Sequence, residues 1–434
     1  MSNTVFLVSI NRVSNVVNPL QANQFCAEAD GSNTSTSDLE APFNESLANV
    51  AKHHMVLIFT LTSPDLTEQK SFVVGCINVA NLDAGCLSDF IDPIILHLYN
   101  SGFTVIAEVG DGASENCKLW ENWARVPIAD FIPESLKDLF PDIDFDPSKI
   151  GVRMHPVLNT PIVLLQDMPH ALKRINGNLE NSSIVTHKRN LCCTRGKPAN
   201  HNMILVFFLH ITNGNQFGLN PTNLTMAHFR RTPMSRMDVK SSAQMCSRRT
   251  HAMLKSAVDK MSDEEFRKVS NGLSKGQYSF LLDFIIKVDR FVDIINGIGS
   301  DKKKNPFSPK NGESLQKELL GILDFFSKWK KTNDADKQMD ETNFLAEATW
   351  RGLQQIILGY VVLIQVYCIQ KGHTIIPRRT TSDPCEHHFS RGRASFGSTD
   401  TGTTQEFNTF LRNESAGINA GYTVRGNNAH APKD

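Results

Sequence analysis

The feature that most constrains this chain is a change of hydrophobic period partway along it. Between residues 54 and 175, short β-branched runs alternate with segments of helical spacing. Residues 55–61 and 71–79 read as two strands of a hairpin around Ser63-Pro64-Asp65. Residues 86–100 read as a helix, with Leu87, Phe90, Ile91, Ile94, Ile95 and Leu98 recurring on one face. A buried strand at 105–109, a helix at 116–123 and another buried strand at 161–165 follow, the last leading through Gln166-Asp167 into a helix opened by Pro169. From residue 243 the spacing becomes helical, over 243–258, 280–295, 314–330 and 344–369. Strands interleaved with helices and then a helical block predict a mixed α/β core joined to a mostly helical domain. Between them lies a basic, Asn-rich linker at 176–202, and an exposed loop at 300–311 carries Lys302-Lys303-Lys304. Residues 1–50 are weakly patterned, with a turn at Asp30-Gly31-Ser32-Asn33, and the Gly- and Asn-rich tail after Arg412 is expected to be disordered.

Charge narrows the function classes. Lys plus Arg and Asp plus Glu are balanced at 45 each, so a nucleic-acid surface would have to be a local patch. The nine cysteines include no Cys-x-x-Cys pair and one adjacent doublet, Cys192-Cys193; this argues for reduced thiols over a disulfide framework or a zinc module. His53-His54 and Cys385 beside His387-His388 lack the paired spacing of zinc ligands. Residues 1–8 do not read as a signal peptide. The apolar run at 356–369, interrupted by Gln365, falls short of the ~20 residues that span a bilayer. The expectation is a soluble intracellular protein without a membrane partner.

Two carboxylates stand out. Asp111 follows the 105–109 strand in Val-Gly-Asp-Gly, and Glu386 lies in Asp383-Pro384-Cys385-Glu386-His387-His388-Phe389-Ser390-Arg391-Gly392-Arg393. Acids delivered by a strand end and a late helix suit phosphodiester chemistry, in which two divalent cations ~4 Å apart are held by converging Asp and Glu. The same residues also read as a turn after a strand and as a helix N-cap, Asp383, with a capping-box partner, Glu386. Arg391 and Arg393, beside Glu386, are the best candidates for DNA phosphate contacts. Arg230-Arg231, Arg248-Arg249 and Arg378-Arg379 read as solvated surface, and Trp120 with Trp123 as core.

These segments, in order, resemble the P-element transposase family. Residues 102–116, with Gly110-Asp111-Gly112-Ala113-Ser114, are similar to the strand bearing its second catalytic Asp. Residues 166–176 resemble its Asp-x-Pro-His block, Arg236-Met237-Asp238-Val239 with Ala243 and Ser247 a helix of its insertion domain, and residues 291–296 that domain's Phe-Asp-x-x-Asn element. Asp383-x-x-Glu386-x-x-Phe389 with Arg391, Gly397 and Phe407 resembles its closing signature. The resemblance implies an RNase H-like mixed sheet split by a mostly helical, GTP-binding-like insertion. Residues 1–176 and 344–415 would form the core, 177–343 the insertion and 416–434 the tail. It implies Asp111 and Glu386 as catalytic ligands of magnesium or manganese, and Asp293, Asn296, Asp383, Arg236 and Lys240 at a GTP pocket. It further implies DNA as partner, self-association and a nuclear location. Asp293 and Asn296 equally suit a helix ending at Gly297, and no P-loop is present. The family's first Asp should fall on the opening strand, near residues 5–10. The sequence there, Val-Phe-Leu-Val-Ser-Ile-Asn, has no acid, so metal-dependent cleavage is expected to be impaired. The alternative is a non-catalytic, transposon-derived protein that associates with DNA or other partners.

Overall fold

The computed structural model describes residues 5–14, 53–61, 71–79, 83–124, 126–182, 188–194, 196–214, 222–297, 306–395, 409–410 and 413. The turns expected at Asp30-Gly31 and Ser63-Pro64-Asp65, the Lys302–304 loop and the tail lie outside them. The chain divides into two compact units. The first comprises Met1–Leu61, Glu68–Asn122 and Thr381–Asp434, the second Thr62–Thr67 and Trp123–Thr380.

In the first unit, β1 (Val5–Ser14), β2 (His53–Leu61), β3 (Ser71–Val79) and β4 (Thr104–Gly110) form a mixed sheet in the order β3-β2-β1-β4. β2 runs antiparallel to β1 and β3, while β4 runs parallel to β1, with Val5 opposite Thr104 and Ile10 opposite Gly110. Val105, Ile106, Ala107 and Val109 are fully buried, which is why this stretch reads as a continuous apolar run. Helix α1 (Ala84–Asn100) is started by Asp83, whose carboxylate accepts the Cys86 N–H at 2.8 Å. It buries Leu87, Ile91, Ile95 and Leu98. It approaches β3 at Gly75, where a Cβ would meet Ile94 Cδ1 at 2.6 Å and Phe90 Cζ at 2.7 Å. Helix α2 (Ser114–Trp123) follows β4.

The second unit opens with an antiparallel ladder of β5 (Val126–Pro127), β6 (Gly151–Met154) and β7 (Pro161–Gln166), with α3 (Glu134–Leu139) between β5 and β6. Its further helices are α4 (Met168–Asn181), α5 (His201–Gly214), α6 (Val239–Met245), α7 (Arg248–Lys260), α8 (Asp263–Val269), α9 (Ser279–Asn296), α10 (Gly312–Ala335) and α11 (Glu347–Leu363). All six residues of β7 are buried, and α11 lies on it by way of two glycines one heptad apart. Gly352 has no room for a Cβ beside Gln166, and a Cβ on Gly359 would come within 2.5 Å of Leu165 Cδ2. Beyond Leu363 the helix widens into a π turn, Ile364–Gln370. Buried Gln316 of α10 donates there to the Val361 carbonyl (3.0 Å) and Gln365 Oε1 (3.2 Å). An aromatic seam joins α9, α10 and α11: Phe280 to Trp329 at 4.9 Å, Trp329 to Phe344 at 4.6 Å and Phe344 to Trp350 at 5.3 Å between centroids.

Several expected boundaries shift. The helix read over 243–258 is two helices, because Ser247 Oγ accepts the Thr250 N–H at 3.3 Å and restarts the chain as α7. Part of the expected linker belongs to α4, and another part begins α5, where Asn200 Oδ1 accepts the Met203 N–H at 3.0 Å. The helix read over 344–369 spans Glu347–Gln370, long and apolar enough to cross a membrane, with 89% of its apolar window buried inside the protein. β5, α3, β6, α5 and α8 are not among the expected elements.

Candidate active site

Asp111 sits directly after β4, where the chain turns through Gly112 at φ 72°. One carboxylate oxygen accepts the Ala113 N–H at 2.8 Å and the Asn116 side-chain amide at 3.2 Å, so the residue shapes the entry to α2. One turn further along α2, the Trp120 indole N–H donates at 2.8 Å to Glu108 of β4, which is 1% exposed. Gly110 allows this close approach, since a Cβ there would stand 2.9 Å from Asn116 Nδ2 and 3.0 Å from the Trp120 ring. Asn116 and Trp120 thus clamp the end of β4 and fix where Asp111 emerges.

Glu386 lies on α12 (Asp383–Ser395). The Ser382 carbonyl accepts the N–H groups of Cys385 (2.9 Å) and Glu386 (3.1 Å), so the helix opens one residue earlier than the capping-box reading expects and Asp383 is its first residue, not its cap. Cys385 and Phe389 bury against Ile58 of β2, beside Val73 and Phe410. His388 and Gly392 are buried on the same side, while Glu386, His387 and Ser390 are exposed and Asp383 is half-buried. At 3.6 residues per turn, position 393 returns to the side of Glu386, whereas half-buried Arg391 lies about 140° around the helix. Cross-strand register relates the two carboxylates. Ile58, under Cys385, pairs with Ser9, and Ser9 pairs with Val109, two residues before Asp111. Asp111 and Glu386 therefore belong to the same unit, with Asp111 at the end of β4 and the helix bearing Glu386 packed on β2 of the same sheet.

A two-cation centre needs more oxygen ligands than this pair supplies. The sequence of β1, Val-Phe-Leu-Val-Ser-Ile-Asn-Arg-Val-Ser, contains no acid, and Glu108 is engaged by Trp120 in the interior. Among the described residues, no three His, Cys, Asp or Glu side chains gather to hold an ion. The described residues do not fit a two-metal centre.

The expected nucleotide residues lie in the second unit, apart from Asp383, which belongs to the first. Asp293 and Asn296 occupy the last turn of α9, which stops at Gly297 in the left-handed conformation with its N–H bonded to the Asp293 carbonyl. Asp293 is half-buried, and burial, followed by the neighbouring Asp289, holds its carboxyl above the usual range. Asp289 accepts the Arg248 N–H at 2.8 Å, and burial raises its carboxyl also. The Cys246 thiol is pushed up to about 12, first by burial and then by Asp289. Arg236 binds Glu180 Oε1 through two nitrogens, at 3.1 and 2.8 Å, and Lys240 is exposed in the first turn of α6.

Sequence reasoning missed a buried network beside them. His201 Nε2 meets Asn176 Oδ1 at 3.0 Å, the Asn176 amide donates to Ser242 Oγ at 3.4 Å, and Arg231 donates to the same hydroxyl at 3.4 Å while pairing with Glu180 at 3.5 Å. Burial lowers the His201 pKa to about 3, leaving the imidazole neutral. The 166–176 block feeds this network: Asp167 caps α4 by accepting the His170 N–H, and Asn176 is its hub. The only signal in the sequence is that block itself.

No family model matches the chain, and no curated protein does. Among solved structures, a chain of the Drosophila P element transposase strand transfer complex matches with a TM-score of 0.64 at 15% identity, covering 94% of this chain and 76% of that one. At that identity the likeness is one of fold. The chain has a mixed α/β fold with an RNase H-like sheet interrupted in sequence by a mostly helical segment, the fold it shares with that transposase.

Proposed function

We propose that this protein derives from a P-element-type DNA transposase, binds DNA, and has an impaired strand-cleavage and strand-transfer site in which Asp111 and Glu386 remain. The observation that carries the reading is that Asp111 and the helix bearing Glu386 attach to one β2-β1-β4 sheet, within a fold likeness that covers 94% of the chain. The absence of an acid from β1 supports impairment over full activity. Of the two candidate arginines, position 393 shares the side of Glu386 and is the better phosphate contact. Bound magnesium or manganese would activate a hydroxyl nucleophile and stabilise the leaving oxygen in an intact site of this kind. GTP binding in the helical segment, self-association and nuclear action belong to the same reading.

The test joins DNA binding to cleavage. The full chain is expected to shift duplex DNA with an affinity that falls steeply as salt rises, and Arg393→Glu to weaken that shift. With Mn²⁺ and supercoiled plasmid it is expected to nick weakly or not at all, and any weak nicking to be lost on Glu386→Ala. Failure to bind DNA at low salt would remove the reading. Efficient nicking abolished by Glu386→Ala would instead make the protein an active nuclease.

A further inference from the structure

The shortfall of acid in the first unit has a definite address. β1 and β4 are parallel neighbours whose last aligned pair is Ile10 and Gly110, so positions 11 and 111 are next in register. Adjacent strands lie ~4.8 Å apart, a separation at which two carboxylates reach one cation through oxygen bonds of ~2.1 Å. β4 ends at Gly110, whereas β1 runs on to Ser14 and stays paired with β2, with Asn11 opposite Val56. Position 11 is thus held by a ladder on one flank, and on the other it stands one step past the last β4 pair, where the register continued leads to Asp111. Its side chain is a carboxamide, a neutral group with one acceptor oxygen. A carboxylate of nearly the same size would add a charge and a second ligand oxygen.

We infer that Asn11 is the position at which this site is one acid short, so that the native Asn11–Asp111 pair does not chelate a divalent cation, whereas a carboxylate at position 11 beside Asp111 would. The inference rests on the reading of Asp111 as a site residue, but its test reads metal affinity and neither DNA binding nor cleavage. Mn²⁺ is titrated into the full chain and free ion is followed by electron paramagnetic resonance, for the native protein, Asn11→Asp, Ser9→Asp and Asn11→Asp with Asp111→Asn. Asn11→Asp is expected to tighten Mn²⁺ binding about tenfold or more, as ligand charge count sets affinity. The double variant should return to the native level, and Ser9→Asp should gain less.

A folded Asn11→Asp with no gain, or an equal gain from Ser9→Asp, overturns the assignment. A native chain that binds Mn²⁺ tightly at a site lost in Asp111→Asn overturns it too, whether or not Asn11→Asp folds. A variant that gains Mn²⁺ but binds no DNA would uphold the inference while removing the proposed function.

Discussion

Replacing Gly359 by alanine tests how α11 is seated on β7. The new Cβ would stand 2.5 Å from Leu165 Cδ2 and 3.0 Å from Val163 Cγ1, both on a strand with no exposed residue. Carbon pairs rest at ~3.5–4.0 Å, so helix and strand must part by about 1 Å. Overpacking of this kind costs ~1–3 kcal/mol, while removing a helix-interior glycine returns ~0.8–1.0 kcal/mol. The net expectation is a loss of about 0–2 kcal/mol. Gly177, inside α4, provides the control, because a Cβ there meets nothing within 4 Å; Gly177→Ala should gain ~1 kcal/mol from helix propensity alone. The two variants should therefore differ by about 1–3 kcal/mol in opposite senses, read as shifts of ~2–4 °C per kcal/mol in thermal midpoint by circular dichroism. If Gly359→Ala raised the midpoint as much as Gly177→Ala, the close seating of α11 would be wrong.

The buried groups give further expectations. Because the His201 pKa falls to about 3 in the folded protein, the unfolded chain takes up a proton that the fold excludes as pH drops below the usual 6.5. Stability should decline by ~1.4 kcal/mol per pH unit from that residue over this window, and His201→Gln should flatten the acid limb of a urea-midpoint series. Asp293 behaves oppositely. Its folded-state pKa is raised, so its contribution is full at low pH and is lost as pH rises through that value. Asp293→Asn should therefore stabilise at pH 7, with the gain vanishing below the usual carboxylate range; an unchanged difference across pH would contradict this. Trp120→Phe removes the donor to buried Glu108 and should lower stability by ~1–3 kcal/mol, measured by denaturant titration.

Local elements were legible where a buried face imposed one period. β2, β3, β4, β7, α1, α9 and α10 all appear close to where alternation or helical spacing places them. β5 and β6, at two and four residues, are too short to show a period. The break at Ser247 depends on one hydroxyl, and apolar spacing runs straight across it. The site was legible in part. Asp111 and Glu386 could be singled out individually, but their attachment to one sheet follows from pairings among β1, β2 and β4, which no local pattern encodes. Arg236 looked free for a phosphate because Glu180, its partner, is remote in sequence.

The pairing of β7 with α11 also sets a schedule for the nascent chain. Gln166 leaves the ribosome long before Gly352, the glycine against which it rests. At ~5–20 residues per second, the strand would wait about 10–40 s for its cover. During that interval a fully buried, mostly apolar strand has no permanent neighbour on that face, and the cover it awaits is itself a 24-residue segment apolar enough to suit a bilayer. Yield in a cell would then depend on chaperone capture of β7 and on keeping α11 from the translocon, rather than on the stability of the finished protein.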